Sequence, residues 1–207
     1  MTKQNKDDPN SPTSISGLFD ASNNTDIHDP AQTPQDQTLC GDLDIHIDTE
    51  GMWFYHGSPI GRKELVKLFA TVLNIDEEGR YWLITPAEKG EITVEDVPFQ
   101  AVEMTVTGEN AQQTLTFRTN IDEIVIADKA HPIRIETDPE TEEPSPYIMV
   151  RDGLEARLTR SVFYQMVELG VEWGVEMAQG EDIFSKQSFG VWSSGQFFLI
   201  GTLTEND

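Results

Sequence analysis

Period-two alternation opens the ordered part of this chain, and helical periodicity interrupts the strand pattern at two places. Leu43, Ile45 and Ile47 alternate with Asp44, His46 and Asp48, the signature of a half-buried strand. Glu50-Gly51 is a turn signal, Met52-Trp53-Phe54-Tyr55 reads as a second strand, and His56-Gly57-Ser58-Pro59 breaks it. Leu65, Leu68, Phe69, Val72 and Leu73 then recur at i, i+3, i+4, i+7 and i+8, which predicts an amphipathic helix ending near Asn74. Strands are expected at Tyr81–Thr85, around Ile92 and Val94, and at Val102–Val106 with Leu115–Phe117 across Gly108-Glu109-Asn110. Further strands are expected at Ile124–Ile126 and Ile133–Ile135, and a hairpin at Tyr147–Leu158 around Asp152-Gly153. Thr159 is a candidate N-cap for a second helix carrying Val162, Phe163, Met166, Val167, Leu169 and Trp173. A closing hairpin joins Val191-Trp192 to Phe197–Ile200.

The same order of strands, helix and Gly-led aromatic strand occurs twice. Glu78-Gly79-Arg80-Tyr81-Trp82-Leu83-Ile84-Thr85 matches Ser194-Gly195-Gln196-Phe197-Phe198-Leu199-Ile200-Gly201, and Ile60-Gly61-Arg62 matches Leu158-Thr159-Arg160 at the helix entries. The reading is an α+β protein of two similar small modules, each a curved antiparallel sheet with one main helix. The expected divisions are a mostly disordered acidic leader at 1–41, an N-terminal module at 42–108 and a C-terminal module at 109–207. Within the leader, Ile15, Leu18 and Phe19 form its best apolar cluster.

Composition narrows the function. The chain has 207 residues and a formal net charge of -23, from 37 Asp+Glu against 14 Lys+Arg. The excess is spread along the chain. A surface of this sign argues against nucleic acid and anionic membranes as partners. Cys40 is the single cysteine, so no intrachain disulfide forms. The N-terminus lacks the apolar core of a signal peptide, and the longest apolar run, Phe197–Ile200, is far too short to span a bilayer. A cytoplasmic protein is expected.

Standard enzyme signatures are missing: no P-loop, no G-x-G-x-x-G, no G-x-S-x-G and no H-E-x-x-H. His28, His46, His56 and His131 are scattered without metal-ligand spacing and read as surface or hairpin residues. The sequence implies no metal site and names no cofactor. Against so many acids the bases stand out. Arg62 and Arg160 sit at helix entries, against the macrodipole, which points to a carboxylate partner or a bound anion.

The stretches Gly57-Ser58-Pro59-Ile60-Gly61-Arg62, Leu65-Val66-Lys67-Leu68-Phe69, Tyr81–Lys89 and Val94–Phe99 resemble a bacterial family of unknown function, DUF1285. The resemblance covers roughly residues 42–204. It implies a duplicated two-module core whose C-terminal module is superficially like a pleckstrin-homology fold. It also implies a pocket at the module interface for a nucleotide-like molecule, and a link to signalling. The family's motif positions fall on Gly57, Arg62, Thr85, Pro86, Glu88, Lys89, Asp96, Pro98 and Phe99.

The first functional expectation is a non-enzymatic regulatory protein binding a small anionic ligand between the two modules. Arg62, Arg151 and Arg160 would hold the anion with Lys89 as auxiliary, Thr85 would add a hydroxyl donor, and Trp82 or Tyr147 would stack on a ring. One alternative is a hydrolase of phosphate-containing compounds using Asp96, Glu88 or His56. The other is a protein-interaction adaptor.

Overall fold

The structure, a computed structural model, describes residues 38–173 and 187–203. The Ile15–Phe19 cluster and most of the expected leader lie outside these residues. The chain divides into two compact units between Asp96 and Val97.

In the N-terminal unit, β1 (Thr38–Ile47), β2 (Trp53–Tyr55) and β3 (Ser58–Pro59) precede helix α1 (Lys63–Thr71). Strands β4 (Leu73–Ile75), β5 (Tyr81–Ile84) and β6 (Glu88–Val94) follow. They form one six-stranded sheet in the order β3-β2-β1-β6-β5-β4, antiparallel except where β1 runs parallel to β6. Strand β1 starts at Thr38, ahead of the expected onset near Leu43. Its first five residues are exposed, so backbone pairing with β6 orders them without any buried apolar side chain or alternation to signal it. Ile45, Ile47, Trp53, Phe69 and Leu83 are each no more than 1% exposed, and Trp53 stacks on Phe69 at 6.1 Å between ring centroids. Burying a side chain such as Phe69 contributes up to about 3 kcal/mol.

Helix α1 ends three residues before the expected Asn74. The Thr71 hydroxyl donates to the Leu68 carbonyl and the Val72 N–H turns back to the Phe69 carbonyl. Leu73, read as the last helical contact, is buried from a strand instead. The helical stripe and the strand aim at one core, so periodicity ran on across the junction.

The C-terminal unit opens with β7 (Phe99–Thr107), a short 3-10 turn (Asn110–Gln112), β8 (Thr114–Thr119), β9 (Ile124–Ile126), β10 (Ile133–Thr137), β11 (Pro144–Arg151) and β12 (Leu154–Leu158). These form a six-stranded sheet, order β10-β11-β12-β7-β8-β9, curled into a half-barrel. Its one parallel pair is β7 with β12. The unit boundary therefore lies before Phe99, not at 108, because β7 pairs with β8 and β12. Helix α2 (Arg160–Glu168) follows β12, then β13 (Val171–Trp173), β14 (Gln187–Ser193) and β15 (Gln196–Leu203) form a three-stranded antiparallel sheet. The second helix was expected to reach Trp173. It stops at Glu168, where the Leu169 and Gly170 N–H groups fold back onto the Met166 and Val167 carbonyls. Thr159 is the N-cap residue, although its side chain does not cap the helix.

The two units repeat the order hairpin, helix, antiparallel strands, and each helix has nine residues. The repeat aligns one residue away from the expected register. Lys63 and Arg160 both open a helix, and N-caps Arg62 and Thr159 correspond. This alignment superposes Phe69 on Met166, both fully buried. The eight-residue match pairs β5, the second strand after its helix, with β15, the third after its own. Shared turn chemistry explains that likeness: Gly79 and Gly195 have φ of 79° and 74°, a conformation glycine adopts without strain, and each leads into an aromatic strand.

No helix among the described residues is long and apolar enough to cross a membrane.

Candidate functional site

The seven residues singled out by sequence divide between the units, and most have structural partners. Trp82 and Lys89 meet across the β5–β6 hairpin, with the Lys89 ammonium 4.0 Å from the centre of the indole. The indole N–H of Trp82 donates to Asp76 Oδ2 at 2.8 Å. Thr85 is buried, and its hydroxyl donates to the Glu88 carbonyl and accepts the Glu88 N–H. That hydroxyl pins the turn between β5 and β6. Arg62 is exposed at the α1 N-cap, with no ion pair among the described residues.

In the C-terminal unit Arg151 reaches Glu123 at 2.6 Å and lies over the Phe99 ring. Arg160 pairs with Glu143 at 3.2 Å, with 83% of its side chain exposed, a pair worth well under ~1 kcal/mol. Tyr147 is buried beneath the Arg134 guanidinium, 4.2 Å from its ring centre. Arg134 in turn forks onto both oxygens of Glu155, at 2.7 and 2.5 Å. These bonds, followed by the charges of Glu155 and Glu136, outweigh burial and hold the guanidinium above its ordinary pKa. Sequence reasoning passed over Arg134 because an isolated arginine on a strand carries no spacing signal.

Of the groups offered for hydrolysis, His56 bonds the Asp44 carboxylate through Nδ1. The histidines read as surface or hairpin residues are paired as well, His46 with Glu95 at 2.8 Å and His131 with Asp128 at 3.0 Å. Among the described residues no cluster of three or more His, Cys, Asp or Glu side chains could hold a metal ion.

Asp76 shows what the acids of the N-terminal unit accomplish. Partial burial pushes its pKa up. The Arg80 N–H, the Trp82 indole, the Arg80 charge and the Glu78 N–H together prevail and hold it below 3.8. A carboxylate with a depressed folded-state pKa stabilises the fold above its unfolded pKa, and that stabilisation is lost as pH falls through the folded value. Asp76→Asn is therefore expected to lower the melting temperature near neutral pH and to leave a smaller acid-dependent decline below about pH 4. Melting curves of both proteins across that range check it.

A cavity of about 320 Å³ lies within the C-terminal unit. Its apolar wall is Val106, Leu169, Val171 and Trp192, and its polar rim is Gly108, Glu109, Asn110 and Gln113. Gly108 and Asn110 take φ of 79° and 54°, and a side chain on Gly108 would meet the Gln112 carbonyl oxygen at 2.7 Å. The rim therefore depends on that glycine. Buried Gln113 fastens it to β14: its Nε2 donates to the Trp192 carbonyl at 2.9 Å, and its own carbonyl accepts the Ser194 N–H. The sequence displayed both halves, the Gly108-Glu109-Asn110 turn and the Trp192 hairpin. Gln113 and Trp192 stand 79 residues apart, so nothing local announced that they meet.

This arrangement offers binding chemistry: an aromatic wall, aliphatic walls and a rim with one carboxylate and two amides. Among the described lining residues there is no paired nucleophile and base.

Comparison with known proteins accounts for both units. Residues 33–97 match the N-terminal domain of a domain of unknown function (DUF1285), and residues 98–200 match the C-terminal domain of the protein of unknown function of the same designation. The crystal structure of a DUF1285 family protein from Silicibacter pomeroyi DSS-3 is similar, with 39% identity over 92% of this chain and 97% of that one, and a TM-score of 0.73. A DUF1285 family protein from Shewanella baltica OS155 aligns at 27% identity over 61% of this chain and 91% of that one, with a TM-score of 0.49. No curated protein matches the chain. With both halves matched in order and a relative this similar along nearly its whole length, the chain belongs to the DUF1285 family.

Proposed function

We propose that the chain is a cytosolic, non-enzymatic regulatory protein that takes a small ligand into the cavity of its C-terminal unit. The observation that carries this reading is the cavity itself. Its volume of about 320 Å³ falls in the range that holds small molecules, and its mixture of apolar walls with a few amides and one carboxylate suits orientation rather than bond cleavage. Thermal-shift screening of metabolite-sized compounds against the native chain and Val106→Trp tests it. Val106 lines the cavity and is only part-buried, so the larger ring fills the space from its apolar wall. Compounds that stabilise the native chain should lose their effect in the filled variant. Hits that persist in Val106→Trp, or no hits at all, would sink the proposal.

The anionic, nucleotide-like ligand expected from the arginines is a second reading, favoured by the exposed Arg62 guanidinium. Arg151 and Arg160 already face Glu123 and Glu143, which weakens their part in it. Nucleotides belong in the same screen. A shift that vanishes in Arg62→Ala and survives in Val106→Trp supports this reading over the first.

A further inference from the structure

We infer that the ligand of the C-terminal cavity is a small organic cation with a flat or apolar body, such as an amine. This rests on the cavity reading and adds the charge of the occupant. Among the described residues, Glu109 is the one charged side chain on the lining, and no basic residue lines it. Trp192 contributes the aromatic wall, and the indole face attracts cations more strongly than the other aromatic rings. A carboxylate and an indole on the lining of one cavity reward a positive ligand twice, through direct charge attraction and through the ring quadrupole. The surroundings act in the same direction, because a net charge of -23 enriches cations near the surface and depletes anions. Of the described basic residues in this unit, Arg118, Arg134, Arg151 and Arg160 each engage at least one carboxylate, and neither these four nor Lys129 and Arg157 line the cavity. Val106, Leu169 and Val171 complete the apolar side, so a ligand bearing a hydrocarbon or ring next to its charge fits better than a bare ion.

Three probes of one shape separate charge from shape: phenethylamine, phenethyl alcohol and hydrocinnamate. Each is titrated into the full chain while the Trp192 indole signal, identified through Trp192→Phe, and the Asn110 and Gln113 amide signals are followed by NMR. Phenethylamine should bind about fivefold tighter than the alcohol, and hydrocinnamate should bind most weakly. Glu109 is exposed, so substitutions there leave the fold intact. Glu109→Gln should erase the preference for the amine, and Glu109→Lys should make hydrocinnamate the better ligand. Equal binding of amine and alcohol, or a preference untouched by Glu109→Gln, overturns the charge assignment while the cavity reading stands. If none of the three moves these signals, both inferences fall.

Discussion

Ser193→Ala is expected to destabilise the C-terminal unit by about 3 kcal/mol, an unusual loss for the removal of one oxygen. Ser193 is fully buried. Its hydroxyl accepts the Leu115 N–H at 2.9 Å and donates to the Ala127 carbonyl at 2.6 Å. The Ala127 N–H already reaches the Leu115 carbonyl directly. The hydroxyl therefore stands in for the second rung of that residue pair, where the β8 ladder passes the end of β9. Alanine would leave a buried donor and a buried acceptor facing a gap, each costing about 1–3 kcal/mol when unpaired. The cost should appear in urea unfolding and as faster hydrogen exchange at the Leu115 amide. A loss below about 1 kcal/mol with exchange unchanged would mean that the strands close the rung themselves. Because Trp192 precedes Ser193 and Gln113 lies two residues before Leu115, the same variant should weaken binding at the cavity.

This bridge shows where sequence reading stops. The closing hairpin, the Gly108-Glu109-Asn110 turn and both helices were visible, because a turn is local chemistry and an amphipathic stripe is local geometry. The helix ends were not, since Leu73 buries itself equally well from a helix or a strand. The unit boundary was misplaced for a related reason. Val102, Met104 and Val106 mark a strand, but only its pairing with β12, more than fifty residues onward, assigns it to the second unit. The arginines stood out for their rarity in an acidic chain. Rarity could not disclose that Glu123 and Glu143 wait opposite two of them. Cavity walls drawn from β7, the end of α2, β13 and β14 share no sequence neighbourhood at all, and tertiary pairing alone brings them together.

The second large effect belongs to a glycine. A Cβ on Gly190 would lie 2.3 Å from the Phe198 carbonyl oxygen and 2.6 Å from the tip of the Phe197 ring. The ring can turn aside. The carbonyl oxygen belongs to the neighbouring strand and can retreat only if β15 parts from β14. The ladder is already irregular there, since Phe189 pairs with Gly201 while Gly190 pairs with Leu199, stepping past Ile200. Such bulges bring backbones close and favour residues without a side chain. Gly190→Ala should therefore cost about 3 kcal/mol, the upper range for overpacking. Two other glycines bracket the argument. At Gly170 the added carbon meets the Phe189 ring at 2.1 Å, a side chain that can swing away, so Gly170→Ala should cost about 1–2 kcal/mol. At Gly201 nothing lies within 4 Å, and alanine should change stability by no more than about 0.5 kcal/mol. Urea unfolding of the three variants gives the ranking. If Gly190→Ala proves as mild as Gly201→Ala, the close approach of the two strands is not a constraint on the fold. If Gly170 proves the more sensitive site, the Phe189 ring is held more rigidly than the backbone of β15. Either outcome would move the weak point of this unit from the β14–β15 ladder to the end of α2.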